Sequence, residues 1–209
     1  MIGLAIHTSS PELGLALTDL DNGDRHQVWP LGRDLTAYLH PCLIEFLHPY
    51  TWADLGFLAV AKGPGGFTGT RIGVVVARTL AQQLSVPLFG VSSLAAIAQR
   101  HHQSAPLTSD SPAYIAVAMK AQRGEIFGAI YQRQQTGLTV ALAEAIHTQA
   151  DWETCLQSWP LPYQLITAEG GLAASVTGVL ALAKIQWAAG DRPDWHTVLP
   201  FYGQHPVHL

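Results

Sequence analysis

Charge is scarce in this chain: of 209 residues only 12% are Asp, Glu, Lys or Arg, and the formal net charge is −4. With 11 Lys and Arg and no basic cluster, it lacks the electrostatic footprint of a protein that grips nucleic acid alone. Contact with RNA is therefore expected only through a partner. The same scarcity leaves the surface poorly protected against self-association. Cysteine is scarcer still. Cys42 and Cys155 stand far apart and form no CxxC, which argues against a disulfide framework or zinc knuckle and predicts two buried thiols. No stretch approaches the ~20 apolar residues of a membrane span, and MIGLAIHTSS has neither the basic region nor the apolar length of a signal peptide. A cytosolic protein without membrane contact is expected. HExxH and Cys/His clusters are missing, His101 and His102 lack ligand spacing, and GVSSLA at 90–95 is not the GxSxG elbow. Neither a metal site nor peptidase chemistry is supported.

What the chain does have is a 48% hydrophobic content, enough to bury the core of one compact domain or two small lobes. Residues 2–6 and 13–20 read as strands, 21–24 as a loop, and 26–30 as a third, shorter strand. Asp34 is positioned to cap a helix over 34–48, with Pro41 as a kink or break. The apolar run 56–61 is a strand, 69–84 a helix, 87–89 a short strand, and Ser92 or Ser93 caps a helix to about Arg100. Residues 101–112 read as a linker. Strands over 114–119, 125–132 and 138–146, a helix at 150–158, a strand at 163–167 and a helix at 173–187 follow. The tail from Gly190 reads as a strap across the surface. The pattern predicts an α/β protein of two lobes, 1–104 and 105–209, each approximately β-β-β-α-β-α.

The most distinctive segment is GPGGFTGTRIG, residues 63–73. GxGxxG would need glycine at Thr68, and a Walker loop would need Lys-Ser/Thr where Thr70 and Arg71 stand. Gly63, Gly65 and Gly66 permit positive φ, Pro64 stiffens the turn, and Thr68 is expected to cap a helix opening at Gly69. Two readings stand side by side: an anion site at the helix start with Arg71 one turn in, or a tight turn that brings helix and sheet together. The following helix is apolar on more than one side, with Ile72, Val75, Val76, Thr79 and Leu80 on one face and Val74 and Arg78 on another. Such a helix is either deeply buried or covered by another chain, and the second reading is expected here. His7 reads as a structural histidine. Lys120, Arg123 and Glu125 are either solvated turn residues or part of a ligand site.

GPGGFTGTRIG, following a strand and leading into a helix, resembles the GPGSFTGxRIG signature of the TsaB family, also called YeaZ. MIGLAIHTSS is similar to that family's opening LAIDTS strand, VSSLAAIA to its VSTLxxxA helix, and YIAVAMKAQRGEIFGAIY to its DARxGEVY segment; VLPFYG is a thinner match to a closing PxYLR. The resemblance implies an actin/hexokinase/sugar-kinase-like (ASKHA) fold. It also implies a non-catalytic subunit that assists N6-threonylcarbamoylation of the adenosine beside the anticodon of tRNAs reading codons that begin with A. Partners implied are a TsaD-like catalytic paralogue, a TsaE-like ATPase, tRNA within the complex, and a homodimer through first-lobe helices. The interface would include Tyr38, Leu39 and Leu43 on one helix and Ile72, Val74, Val75 and Arg78 on the next. The chain itself requires no cofactor, with ATP or ADP bound within the complex. His7 stands where the family commonly has Asp, and Lys120 and Gln122 where it has Asp and Arg. In catalytic relatives of the fold that first acid positions a nucleotide's metal, a task for which histidine lacks the hard oxygen. His7, Thr8 and Lys120 thus mark a vestigial nucleotide site. An alternative function is an ATP-dependent phosphotransferase or nucleotide-binding protein of this fold, with the glycine-rich loop on phosphate.

Overall fold

The structure, a computed structural model, describes residues 1–19, 23–105 and 111–203. Expectations for residues 20–22, 106–110 and 204–209 lie outside the described residues. Strands β1 (Ile2–His7), β2 (Leu13–Asp19) and β3 (Gly23–Trp29) form an antiparallel meander. β4 (Leu55–Ala61) joins β1 in parallel and β5 (Leu88–Val91) joins β4, giving the order β3-β2-β1-β4-β5. A second sheet repeats the plan. β6 (Tyr114–Lys120), β7 (Ile126–Gln134) and β8 (Gly137–His147) are antiparallel, and β9 (Tyr163–Ala168) pairs with β6 in parallel. The helices are α1 (Leu35–Leu47), α2 (Phe67–Leu84), α3 (Ser93–Ser104), α4 (Gln149–Gln157) and α5 (Val176–Ala188). The first half therefore carries one β-α pair, β5 and α3, beyond the β-β-β-α-β-α of the second.

β1 is buried along its whole length because helices cover both faces of its sheet. Alternation along the strand sorts the two layers. Ile2, Leu4 and Ile6 pack with Leu39 and Leu43 of α1 and with Val74 and Ala77 of α2. Ala5, on the other face, packs with Phe57 and with Val176, Val179, Leu180 and Ala183 of α5.

The two halves exchange helices. α3 lays Leu94 and Ala98 on Ile115, Val117, Ala129 and Tyr131 of the second sheet, while α5 covers the first. α4 closes the second sheet's other face with Trp152 and Leu156. Where α3 and α5 meet, Gly178 lies directly against the Ala96 carbonyl. A division of the chain at 104/105 thus separates the sheets but not their helices.

Three local expectations are corrected. Pro41 neither breaks nor divides α1; its ring is exposed, and one helix runs from Leu35 to Leu47. The helix capped by Ser92, whose hydroxyl oxygen accepts the Leu94 and Ala95 N–H groups, continues past Arg100 to Ser104. His101 and His102 are therefore helical, not linker. Their ring nitrogens are engaged across the lobe, His101 Nε2 with Gln164 at 2.8 Å and His102 Nδ1 accepting from buried Arg133 at 3.2 Å. The polar residues that suggest a linker are the ones these contacts hold. Finally, Cys42 is buried but Cys155 only half-buried, and both are free thiols.

Beyond Gly190 the chain does strap across the first lobe. The Leu88 N–H donates to the Pro193 carbonyl at 3.2 Å, Val198 is buried, and the Phe201 N–H donates to the Lys62 carbonyl at 2.7 Å. No helix among the described residues is long and apolar enough to cross a membrane.

Candidate functional site

The glycine-rich loop joins β4 to α2 and is built for close approach. Of the three glycines expected at positive φ only Gly63 adopts it, at +102°, and there the Phe201 carbonyl of the strap occupies the space a side chain would need. Gly69 and Gly73 stand against Thr8, so that any Cβ would overlap the Thr8 carbonyl or hydroxyl. The Thr8 hydroxyl donates to the Gly69 carbonyl at 2.8 Å, and the Gly66 N–H to the Ser9 carbonyl at 2.8 Å. These contacts favour the tight-turn reading. α2 opens at Phe67, not Gly69, and its N-cap is Gly66 with no side-chain cap. Thr68 accordingly lies exposed inside the first turn instead of capping it.

Between the lobes runs a cleft of about 1300 Å³ lined by Thr8, Gly65, Gly66, Thr68, Gly69 and, from the second lobe, Lys120. Arg33 and Lys120 supply its positive charge and Glu169 its single carboxylate. That set, with the uncapped start of α2, fits an anionic group better than a divalent cation, which needs several hard oxygens. Among the described residues no three His, Cys, Asp or Glu side chains cluster to hold a metal.

His7 does not reach this cleft. It is fully buried, its Nδ1 accepts the Ser9 N–H at 3.3 Å, and its Nε2 has no partner among the described residues. Burial pushes its pKa down to about 3, so the ring is neutral at physiological pH. Thr8 and Lys120 therefore share a cleft that His7 stands behind.

The second candidate surface is the outer side of α1 and α2. Ten large hydrophobic side chains are exposed among the described residues; of these Tyr38 and Ile44 lie on α1, Val75 on α2 and Leu199 on the strap, while Phe67 at the start of α2 also lines the cleft. Tyr38 and Val75 are 53% and 52% exposed. Ile72 and Arg78 are half-buried. Leu39, Leu43 and Val74 are corrected: at 1%, 0% and 0% exposure they face the sheet and support the layer from below. The helical repeat turns Val74 inward and Val75 outward, since neighbours sit about 100° apart. Arg71 is exposed in the second turn of α2.

A protein-family model described as TsaD, tRNA N6-adenosine threonylcarbamoyltransferase, matches residues 36–180. The Bacillus subtilis tRNA threonylcarbamoyladenosine biosynthesis protein TsaB is 32% identical over 76% of this chain and 67% of its own. The Escherichia coli protein of that name is 30% identical over 75% of this chain and 73% of its own. The chain belongs to the TsaB family. Two solved structures from Pseudomonas aeruginosa agree, one of YeaZ and one of an uncharacterised protein similar to peptidase YEAZ. Each is 25% identical and covers 97% of this chain, with TM-scores of 0.71 and 0.77 over 100% and 99% of their own. The fold is the two-lobed ASKHA arrangement.

In this TsaB-family chain, two surface residues escape the sequence pattern. Ile44, 62% exposed, sits three residues beyond Pro41 on the solvent side of α1; an exposed proline marks that side. Phe67 is 42% exposed as the lone aromatic within a glycine-rich turn, and it stacks on Tyr202 with ring centroids 4.4 Å apart. An aromatic among glycines was the available signal.

Proposed function

We propose that this chain is a non-catalytic subunit of the machinery that installs N6-threonylcarbamoyladenosine in tRNA, docking through the outer layer of α1 and α2 onto a TsaD-like catalytic paralogue. The observation that carries this reading is the exposure of Tyr38, Ile44 and Val75 on the outer sides of α1 and α2 in a TsaB-family chain. A helix pair whose inner side is closed and whose outer side is apolar suits a helix-on-helix interface. The target would be the adenosine beside the anticodon in tRNAs reading codons that begin with A. With net charge −4, the chain would meet tRNA only within the complex. A TsaE-like ATPase joins the assembly, ATP or ADP is bound there, and a homodimer would use the same layer. The setting is cytoplasmic.

The cleft supports a secondary role at most. Arg33 and Lys120 suit a phosphate, but a cleft with one carboxylate, and with His7 buried and neutral behind it, argues against phosphotransfer by the isolated chain. Mg-ATP turnover by the purified chain would overturn that judgement.

Depletion of the protein followed by mass spectrometry of tRNA nucleosides tests the reading. Loss of the modified adenosine is expected, restored by the wild-type chain and not by Val75→Glu. Full modification after depletion would sink the proposal.

A further inference from the structure

We propose that the C-terminal strap, residues 193–202, is a third element of the docking layer, and that Leu199 meets the same catalytic paralogue as Tyr38, Ile44 and Val75. This rests on the reading above that α1 and α2 carry the interface.

The strap is fastened to β5 and to the end of β4, and its rings reach α2. Its Pro193 carbonyl accepts the Leu88 N–H at 3.2 Å, Val198 sits so close over Gly90 that a Cβ there would lie 2.8 Å from its methyl, and the Phe201 N–H reaches the Lys62 carbonyl at 2.7 Å. Two ring contacts bracket the helix. Trp195 lies 5.5 Å from the Arg78 guanidinium, and Tyr202 stacks on Phe67 at 4.4 Å. The later strap residue meets the earlier helix residue, so the strap runs antiparallel to α2 over roughly 16 Å, three turns of helix. Trp195 and Val198 pack into the same cluster as Leu39, Leu43 and Val74, which places the strap on the α1 and α2 side of the sheet.

Its inward and outward sides alternate. Val198 is extended, at φ −84° and ψ 106°, and buried to 5%; its neighbour Leu199 is 60% exposed. Successive side chains of an extended segment point to opposite sides, so Leu199 turns away from Gly90 and toward solvent. From Trp195 to Gly203 the segment WHTVLPFYG contains no Asp, Glu, Lys or Arg, and the exposed Asp194 before it is paired with His196. An occupant that covers Val75 with apolar contacts thus meets more of the same beside it. Arg78 is held over Trp195, which makes Trp195 a positioning residue for that edge of α2.

The test is the dissociation constant between the purified chain and its cognate TsaD-type subunit, for wild type and for Leu199→Glu, Trp195→Ala and Val75→Glu, each with a thermal melt. Leu199→Glu is expected to weaken binding tenfold or more with an unchanged melt, Trp195→Ala about threefold, and Val75→Glu over a hundredfold. Hydrogen exchange on the unmutated chain, which depends on no variant folding, should show partner-induced protection across 195–202. If Val75→Glu abolishes binding while Leu199→Glu stays within twofold and the strap gains no protection, the strap proposal fails alone. If wild type does not bind, or Val75→Glu binds normally, the α1 and α2 reading fails first and takes the strap with it.

Discussion

α2 and α5 lie on opposite faces of the first sheet, and both are apolar on more than one side, yet they resolve that excess differently. α5 is sandwiched: the first sheet takes Val176, Val179, Leu180 and Ala183, α3 closes against Gly178, and no large hydrophobic side chain of α5 is exposed. α2 has a sheet beneath it and only the strap against its other side, so Val74, Ala77 and Ala81 are buried while Phe67 and Val75 meet solvent. Composition makes both helices look like core. Only the number of layers available in the same chain distinguishes a helix that completes a fold from one that waits for a partner.

Charging the outer side should break docking and little else. Val75→Glu places a charge where a partner would bury it unpaired, a cost of about 3–5 kcal/mol, so binding should fall more than a hundredfold. Because Val75 is half exposed in the free chain, its own stability should change by no more than about 0.5 kcal/mol by denaturant unfolding. The matching change on the closed side has the reverse profile. Leu180→Ala should cost about 2–5 kcal/mol of stability and leave the partner's affinity unchanged.

Much of this contrast could be read in the sequence, but not its sign at each residue. The strands of the meander and the run 56–61 declare themselves by alternation or continuous apolarity, and α1 and α2 by helical spacing. Three consecutive valines at 74–76 do not reveal which one points inward, because a helix apolar on more than one side has its buried face chosen by the sheet it packs on, here the Val74 side. Nor does sequence say that α3 crosses to the second sheet and α5 to the first; both are simply apolar, and which sheet receives them is decided by contacts far apart in the chain. By residue type His7 reads as structural, and only the family's Asp at that position sets it in a site; its neighbours Thr8, Ser9 and Ser10 do line the cleft. A strand with helices on both faces buries it all the same.

That burial gives a pH signature of the closed interior. His7 has its folded pKa lowered to about 3 from 6.5, so the unfolded chain binds its proton more readily. Its contribution to stability is intact above pH 6.5 and is lost progressively as pH falls toward 3, at about 1.4 kcal/mol per pH unit. His7→Gln should flatten the acid limb of the unfolding free energy by about one proton; an unchanged slope would show that the ring titrates normally.

The smallest effect concerns how α1 is held in that layer. Arg25 of β3 donates from Nη2 to the carbonyls of Phe46 at 2.6 Å and His48 at 2.7 Å, closing the helix's C-terminal end, and its guanidinium lies 5.1 Å from the Phe46 ring. Arg25→Met should cost about 1–2 kcal/mol and raise hydrogen exchange at the end of α1, with Arg25→Lys recovering part of it.

The central claim is most directly tested by sedimentation velocity on the chain mixed with its cognate TsaD-type subunit at micromolar concentration, wild type beside Val75→Glu. The account predicts a heteromeric boundary for wild type and separate boundaries for Val75→Glu at an unchanged melting temperature. Separate boundaries for the folded wild-type pair, or an intact complex with Val75→Glu, would contradict it.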